Sequence, residues 1–283
     1  MRAVTGTSVP RLPLLTIRAT GGWAAPNLRE VWAFRDLVVS LAVRDVKLRY
    51  RQTYLGVAWV VLQPLLAAGV FSFVFGTIAK LPSNGVPYVA FSYAGLLGWN
   101  AFTSTLGKTS HSIVGNAHLI SKVYFPRLVL PLSGVLSTLL DVAVALGPMA
   151  ALLVAYGIRP GWGLLLLPIW LVAFVLLAMG LGLVAAAVMV AHRDVGHLLP
   201  IATQALMFGS PVAYAASAVP ERLQGVYGLN PLTQLLEGLR WSLLNQSPPN
   251  WGLAGVGVAL SVAVFALGSV LFQRTERRFV DII

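Results

Sequence analysis

The sequence of 283 residues contains no cysteine and very little charge. Without cysteine the chain has no disulfide, no thiolate nucleophile and no cysteine-based zinc or iron–sulfur site. Charged residues make up 10% of the chain, whereas an average soluble domain has about 25%. Hydrophobic residues make up 57%, and the mean hydropathy is +0.79. This composition indicates an integral membrane protein.

A nucleotide-binding motif is also missing. Gly107-Lys108-Thr109 resembles the end of a phosphate-binding loop, but that pattern requires a glycine where this chain has Phe102, and a preceding strand. We therefore expect no ATP binding by this chain. The energy for any transport must come from another subunit or from an ion gradient.

The histidines do not form a pattern typical of a metal site. His111 and His118 are seven residues apart, and His192 and His197 are five apart, but neither pair has a carboxylate at ligand spacing. No serine is accompanied by a histidine and an acid in an arrangement that favours nucleophilic catalysis. We predict neither a bound metal nor a catalytic residue.

Positive charge predominates, with a formal net charge of +11. The basic residues lie beside apolar stretches, where the positive-inside rule and anionic lipid explain them without nucleic acid. Of the 20 Lys and Arg residues, 16 fall in segments that we assign to the cytoplasmic side and four in segments outside. This distribution predicts that both termini are cytoplasmic.

Apolar stretches predict an all-α membrane protein with six transmembrane helices, since about 20 residues cross the hydrocarbon layer. The predicted spans are residues 55–79, 88–106, 128–156, 164–191, 197–215 and 252–272. Residues 216–251 are too long for a plain loop, yet their apolar part, 232–244, is too short to cross. We interpret this segment as an external re-entrant helical hairpin between spans five and six.

The N-terminal region predicts a tail and a surface helix. Residues 1–26 carry three prolines and indicate a flexible cytoplasmic tail, and residues 27–54 an amphipathic interfacial helix with a basic junction. An alternative is a helix packed on the protein's own cytoplasmic surface. Residues 55–272 form the six-helix domain and 273–283 a basic cytoplasmic tail. The helix's apolar face comprises Val31, Phe34, Val38 and Leu41, and the basic anchor comprises Arg44, Lys47, Arg49 and Arg51.

Three features within the spans suggest specific contacts. Ala178, Gly182 and Ala186 recur every four residues and predict a close helix contact. Asp141 lies in the middle of the third span, and no second intramembrane acid or base accompanies it. A hydrogen-bonded packing residue is therefore favoured over a proton-coupling site. Aromatic residues along the second span favour an interfacial belt and core packing over a glycan path on spacing alone.

Four segments, in the same order, resemble the permease subunit of ABC-type polysaccharide exporters, the transporters of O-antigen, capsule and teichoic acid chains. They are RDVKLRYRQTYLGVAWVVLQPLL (44–66), NAHLISKVYFPRLVLP (116–131), HRDVGHLLP (192–200) and NPLTQLLEGLRWSLL (230–244). The resemblance implies a homodimer in the inner membrane that forms a channel for a lipid-linked glycan. It also implies two copies of a separate ATPase subunit, which bind ATP and Mg.

The resemblance also implies roles for three groups of residues. An ATPase-coupling loop would comprise Asn116, His118, Leu119, Ile120 and Lys122. The channel would be lined by Tyr93, Trp99 and Phe102, and the external hairpin with Asn230, Glu237 and Arg240 would shape the exit.

Three other functions remain possible from the residues. A permease for drugs or lipids would share the architecture but favour a narrow, apolar cavity. A membrane enzyme acting on lipid-linked sugars would require several converging charged residues, and Asp141 and Glu237 are isolated. A structural membrane subunit is disfavoured by the polar loop and the hairpin.

Overall fold

A computed structural model describes residues 28–50 and 58–282, with side chains described for 29–48 and 58–276. This part of the chain is helical and contains no β-strand. Its α-helices are α1 (Leu28–Ala33), α2 (Arg35–Tyr50), α3 (Ala58–Phe71), α4 (Tyr88–Ser110), α5 (Ala117–Ile120), α6 (Val129–Ala155), α7 (Leu167–Ala191), α8 (Val195–Phe208), α9 (Glu221–Leu229), α10 (Pro231–Leu244) and α11 (Trp251–Ile282). A π-helical segment, Ser72–Ile78, extends α3, and a 3₁₀ segment, Trp162–Leu166, precedes α7.

Four helical segments are long and apolar enough to cross a membrane. They are Ala58–Ile78, Val129–Ala155, Trp162–Ala191 and Trp251–Glu276. These segments coincide with the first, third, fourth and sixth predicted spans, so the hydropathy pattern located them correctly. The second and fifth predicted spans correspond to α4 and α8, which differ from the other four.

Helix α4 lies at the centre of the bundle, in contact with α3, α6, α7 and α10. Sixteen of its 23 residues are buried, including the polar Ser92 and Thr105. A helix surrounded by other helices does not need lipid-facing apolar residues, which explains its lower hydropathy. At about 1.5 Å per residue, it is still about 35 Å long.

Helix α8 is short and loosely packed. Its 14 residues span about 21 Å, less than the roughly 30 Å of the hydrocarbon layer. None of its residues is buried. Beyond its last residue, the backbone of residues 209–215 leaves the helical conformation and enters the protein interior, where Ser210 and Val212 are fully buried.

Helices α7 and α11 cross in close contact because small residues meet. A β-carbon at Gly180 would lie 2.6 Å from the backbone nitrogen of Phe265, and one at Gly268 would overlap the Gly180 carbonyl. On another face of α7, a β-carbon at Gly182 would lie 2.7 Å from Thr109 Cβ of α4. The predicted close contact is therefore confirmed for Gly182, whereas the sequence pattern missed Gly180.

The bundle has two ends, which we call the loop end, carrying residues 111–128, and the hairpin end, carrying residues 209–250. At the loop end, α1 and α2 pack through Val31 and Leu41 against a hydrophobic cluster shared with α6, α7 and α11. The predicted apolar face of the N-terminal helix therefore contacts the protein itself, as in the alternative interpretation. A second apolar side of these helices stays exposed at Trp32 and Leu48.

Some sequence predictions lie outside the described residues. These are the tail 1–26, the junction residue Arg51 and the beginning of the first span, up to residue 57; Arg49 is in α2, but its side chain is not described. Within the predicted basic tail 273–283, α11 continues as a helix to Ile282. The first residues of this tail extend the sixth span rather than leaving it.

Candidate functional site

The loop end presents a basic ridge on a buried base. The 3₁₀ turn Val114–Asn116, the single-turn helix α5 and the residues that follow up to Lys122 form the ridge. Ile120 and Phe125 anchor it in the hydrophobic cluster of the loop end, while His118 and Lys122 are exposed. Of the predicted coupling residues, His118 and Lys122 can therefore contact a partner, whereas Ile120 holds the loop in place and Leu119 packs partly against the same cluster.

The N-terminal helix is attached to this loop. One guanidinium nitrogen of Arg44 donates to Asn116 Oδ1 at 3.2 Å and lies 2.8 Å from Asp45 Oδ1. The Asn116 side chain in turn donates to the Ser112 carbonyl at 2.9 Å. Arg44 was predicted as a membrane anchor and Asn116 as a coupling residue, and the structure brings the two together. Lys47 of the same anchor is exposed on α2.

A second attachment joins the loop to α11. The backbone N–H of Arg127 donates to Glu276 Oε1 at 3.3 Å, and its buried guanidinium donates to the Ile120 carbonyl at 3.4 Å. Tyr124 lies beside this contact. The pKa of its hydroxyl is raised above 10.0, mainly because the group is partly buried and also because of the negative charges of Glu30 and Glu276. No sequence pattern indicates this cluster, since its members come from three distant segments.

Midway along the bundle, α3, α4 and α6 enclose a cleft of about 380 Å³. Its polar lining side chains are Gln63, Asn100, Ser104, Thr138 and Asp141, and its aromatic ones are Trp59 and Tyr93. Tyr93 is held in the wall because its hydroxyl donates to the Ala145 carbonyl at 2.9 Å.

An ion pair lies at one side of the cleft. Lys108 Nζ is 3.2 Å from Asp141 Oδ2 and donates to Ser137 Oγ at 2.9 Å and Thr138 Oγ1 at 3.0 Å. The prediction that no base accompanies Asp141 is wrong, because α4 continues through Ser110 and carries Lys108 into the bundle. Asp141 is nevertheless a hydrogen-bonded packing residue, which agrees with the favoured interpretation.

Two of the three aromatic residues predicted to line a channel are in the core. The rings of Trp99 and Phe102 contact each other with centroids 5.6 Å apart, and both side chains are buried. Tyr93 alone of the three borders the cleft. The burial assigns Trp99 and Phe102 to helix packing within the described chain, and Trp59, at the rim of the cleft, is an exposed aromatic that the prediction did not include.

At the hairpin end, Arg240 of α10 holds the non-helical segment 209–215. Its guanidinium donates to the carbonyls of Pro211 at 2.7 Å, Val212 at 2.6 Å and Tyr214 at 3.4 Å. It also stacks on Phe91 of α4, 3.9 Å from the ring centroid. Only 3% of Arg240 is exposed, so this cation is an interior residue rather than part of an open exit.

The neighbouring carbonyls of this segment are also satisfied by side chains. The Tyr88 hydroxyl donates to the Ala213 carbonyl at 2.7 Å, and the Tyr214 hydroxyl to the Phe208 carbonyl at 2.8 Å. Asn230 caps α10 by accepting from the Leu232 N–H at 3.0 Å. Buried non-helical backbone is stable only when its polar groups are paired in this way.

The other side of the Asn230 amide reaches the same segment, since its Nδ2 donates to Ser210 Oγ at 3.0 Å. Glu237, one turn before Arg240, is partly buried. Among the described contacts it forms no ion pair with Arg240, whose two terminal nitrogens donate to carbonyls instead, while its buried Nε has no hydrogen-bond partner among the described residues. Of the three predicted hairpin residues, Asn230 and Arg240 thus act together on residues 209–215.

Long apolar helices around a buried central helix, with a basic ridge at one end, define a multi-pass helical membrane protein. Residues 36–244 match the family model described as ABC-2 type transporter. The chain belongs to this family, whose members are the membrane-spanning components of ABC transporters.

Curated relatives align over nearly their whole length. The chain is 28% identical over 256 residues to the O-antigen export system permease protein RfbA of Myxococcus xanthus, covering 90% of this chain and 98% of that protein. It is 26% identical over 252 residues to the RfbA protein of Klebsiella pneumoniae, covering 88% and 95%. The polysialic acid transport protein KpsM of Escherichia coli is 24% identical over 246 residues, covering 84% and 93%.

Proposed function

We propose that the chain is the transmembrane subunit of an ATP-driven exporter that moves a lipid-linked polysaccharide across the cytoplasmic membrane. The observation that carries the proposal is the match of residues 36–244 to the ABC-2 type transporter family. Relatives named as O-antigen export and polysialic acid transport proteins support the substrate class. A polyhydroxylated chain needs such a path, because each unpaired hydroxyl costs roughly 2–7 kcal/mol to desolvate.

In this proposal the chain crosses the membrane six times. Helix α4 is long enough and lies among the apolar spans. Helix α8 crosses only together with the buried segment 209–215 that follows it. The helices α9 and α10 then form a hairpin that returns to the outer surface, with the loop end and both termini on the cytoplasmic side. The basic residues at the loop end favour this orientation.

The active unit is a homodimer that encloses the channel. Helix α8 exposes Leu198 and Ile201 together with the polar Gln204. An unpaired amide in hydrocarbon is costly, so this side of α8 suits a partner helix or an aqueous path better than lipid. A second copy of the chain supplies both, since a two-fold axis would place like surfaces opposite each other.

The basic ridge with His118 and Lys122 contacts a separate ATPase subunit, which binds ATP and Mg. Its rigid base and its links to α2 through Arg44 and to α11 through Glu276 would pass movement of the ATPase to the spans. Two states of the ATPase could then bias two arrangements of the channel.

The test uses the complete transporter, purified in nanodiscs with its ATPase subunit. We expect Lys122→Glu to weaken ATPase binding at least tenfold, because reversing a charge at an interface opposes the complementary surface. The matched control is Arg222→Glu, which reverses an exposed charge at the hairpin end and should leave binding unchanged.

Cells that express the transporter provide the second readout, the appearance of polysaccharide at the surface. We expect surface polysaccharide with wild type and the control, and its loss with Lys122→Glu. If the chain binds no ATPase, or if deleting it leaves polysaccharide export intact, the proposed function is wrong.

A further inference from the structure

Three tryptophans meet at the hairpin end. The ring centroid of Trp241, near the end of α10, lies 4.8 Å from that of Trp162 and 5.1 Å from that of Trp251, and the latter two rings are stacked at 6.2 Å. Trp241 is buried, whereas Trp162 and Trp251 are 66% and 48% exposed. The cluster therefore has a buried base on α10 and two indoles at the surface.

The two exposed indoles mark the same end of two membrane spans. One apolar segment begins at Trp162 and the other at Trp251. The residues just before them include an exposed polar side chain in each case, Arg159 and Asn250. The residues just after them include exposed apolar side chains, namely Leu164, Leu165, Leu253 and Val256. Along both segments the surface thus changes from polar to apolar at the level of the indoles.

We propose that Trp162 and Trp251 form a binding surface for the phospholipid headgroup layer at the hairpin end. Tryptophan suits this layer because its large apolar ring can face the acyl chains while its single N–H donates to ester or phosphate oxygens. Among the described residues, neither of these two N–H groups has a hydrogen-bond partner, whereas that of the buried Trp170 donates to Ser242 Oγ at 3.0 Å. The proposal requires only that the two segments cross a membrane, so it does not depend on what the transporter carries.

A lipid layer explains the pair better than a second copy of the chain or a glycan. A planar layer demands that the change from polar to apolar surface occurs at one level in every helix it touches, and the two segments meet this demand. A partner protein sets no such common level. A glycan would use the rings but not the exposed leucine and valine side chains that follow them, because its hydroxyls would be left unpaired there.

The cluster also fixes where α10 lies relative to the lipid. Trp241 packs directly on the segment that begins at Trp162, since a β-carbon at Gly163 would lie 3.0 Å from the Trp241 ring. The bond between Trp170 and Ser242 joins the same two elements. The last turn of α10 therefore lies at the level of the headgroup layer, and the lipid contacts of the two exposed indoles hold it there.

The test places a nitroxide at a known depth of the membrane and measures its effect on each tryptophan. The full chain carries fluorinated tryptophan in nanodiscs of phosphatidylethanolamine and phosphatidylglycerol, and Trp162→Phe and Trp251→Phe assign the two fluorine NMR signals. We expect a headgroup nitroxide to enhance the relaxation of both signals at least about threefold more than a nitroxide in the middle of the acyl chain. The opposite order, equal effects or no effect of either nitroxide would overturn the proposal.

The matched control is Val262→Trp, which adds a tryptophan at an exposed position of α11, about 16 Å along the helix from Trp251. At this position we expect the acyl-chain nitroxide to have the larger effect. If the headgroup nitroxide acts equally on position 262 and on Trp251, the pair does not mark the headgroup layer and the proposal is wrong.

A second measurement locates the boundary without changing the tryptophans. Because the chain has no cysteine, a single introduced cysteine carries one spin label. Ser247→Cys labels the loop after α10 and Leu165→Cys the span just after Trp162, both at exposed positions. Collisions with a water-soluble nickel chelate, relative to those with oxygen, should be at least about threefold more frequent at position 247, since hydrocarbon excludes the chelate. Equal ratios would overturn the boundary but leave the proposed function standing, because neither measurement involves the ATPase or the polysaccharide.

Discussion

Replacement of Arg240 tests whether one side chain holds the non-helical segment 209–215 in place. In Arg240→Met, an apolar side chain of similar length replaces the guanidinium, and the carbonyls of Pro211, Val212 and Tyr214 lose their donor. Water cannot replace it readily, since Arg240 and Val212 are buried. In Arg240→Lys, the charge is kept but the planar fork that reaches several carbonyls is lost.

The expected magnitude follows from the number of carbonyls left without a donor. Each buried acceptor without a partner costs about 1–3 kcal/mol, and two of the three bonds to Arg240 are short. Part of this cost is offset, because the methionine variant no longer has to remove a guanidinium cation from water on folding. We therefore expect Arg240→Met to lower the free energy of unfolding by about 3–5 kcal/mol and Arg240→Lys by a smaller amount.

The assay is reversible unfolding of the purified chain in detergent micelles, followed by circular dichroism. Limited proteolysis of residues 209–220 reports in parallel whether the segment leaves the interior. The control is Arg222→Met, since Arg222 is exposed on α9 and surface changes stay within about 0.5 kcal/mol. If Arg240→Met is as stable and as resistant to protease as the control, the guanidinium does not hold the segment.

Two further changes have direct readouts. Gly180→Leu should destabilise the chain by at least about 1–3 kcal/mol, because the added side chain must fit where the backbone of α11 already lies. The control Gly255→Leu should not, since no atom lies within 4 Å of the added β-carbon. Equal unfolding midpoints for the two variants would contradict the close crossing. Glu30→Gln should lower the pKa of Tyr124 toward 10.0, since Glu30 contributes to raising it, and titration of labelled tyrosine by NMR, with Tyr124→Phe to assign the signal, measures the shift. An unchanged pKa would show that the two side chains do not interact.

Hydropathy located the four long apolar helices because lipid imposes the same demand on every exposed helix. Hydropathy could not show that the Lys108 side chain lies inside the bundle. Lys108 is in the last turn of α4, where a charged residue is expected to face water, and only the packing of α6 against α4 brings its ammonium group inside. Gly134 allows this approach, for a β-carbon there would lie 3.0 Å from Lys108 Cβ. Spacing within a single segment carries no information on such a contact between helices.

The sequence predicted the exposure of the polar residues in the loop, while their role as a coupling surface stays a prediction. His118 and Lys122 are polar side chains on a polar loop, and both are exposed in the structure. Arg240 resembled them in the sequence but is buried, because its partners are backbone carbonyls about 30 residues earlier. Backbone acceptors leave no residue pattern, so neither the burial of Arg240 nor the break after α8 could be read from side chains.

The close crossing of α7 and α11 at glycine residues separates a tightly packed part of the bundle from a loosely packed one. These two helices cannot slide or separate without breaking backbone contact, and α4 is enclosed on nearly all sides. Helix α8, by contrast, buries no residue and meets its neighbours sparsely. A change in the width of the bundle would therefore displace α8, which is tethered at one end to α7 and at the other to residues 209–215, more readily than α4, α7 or α11.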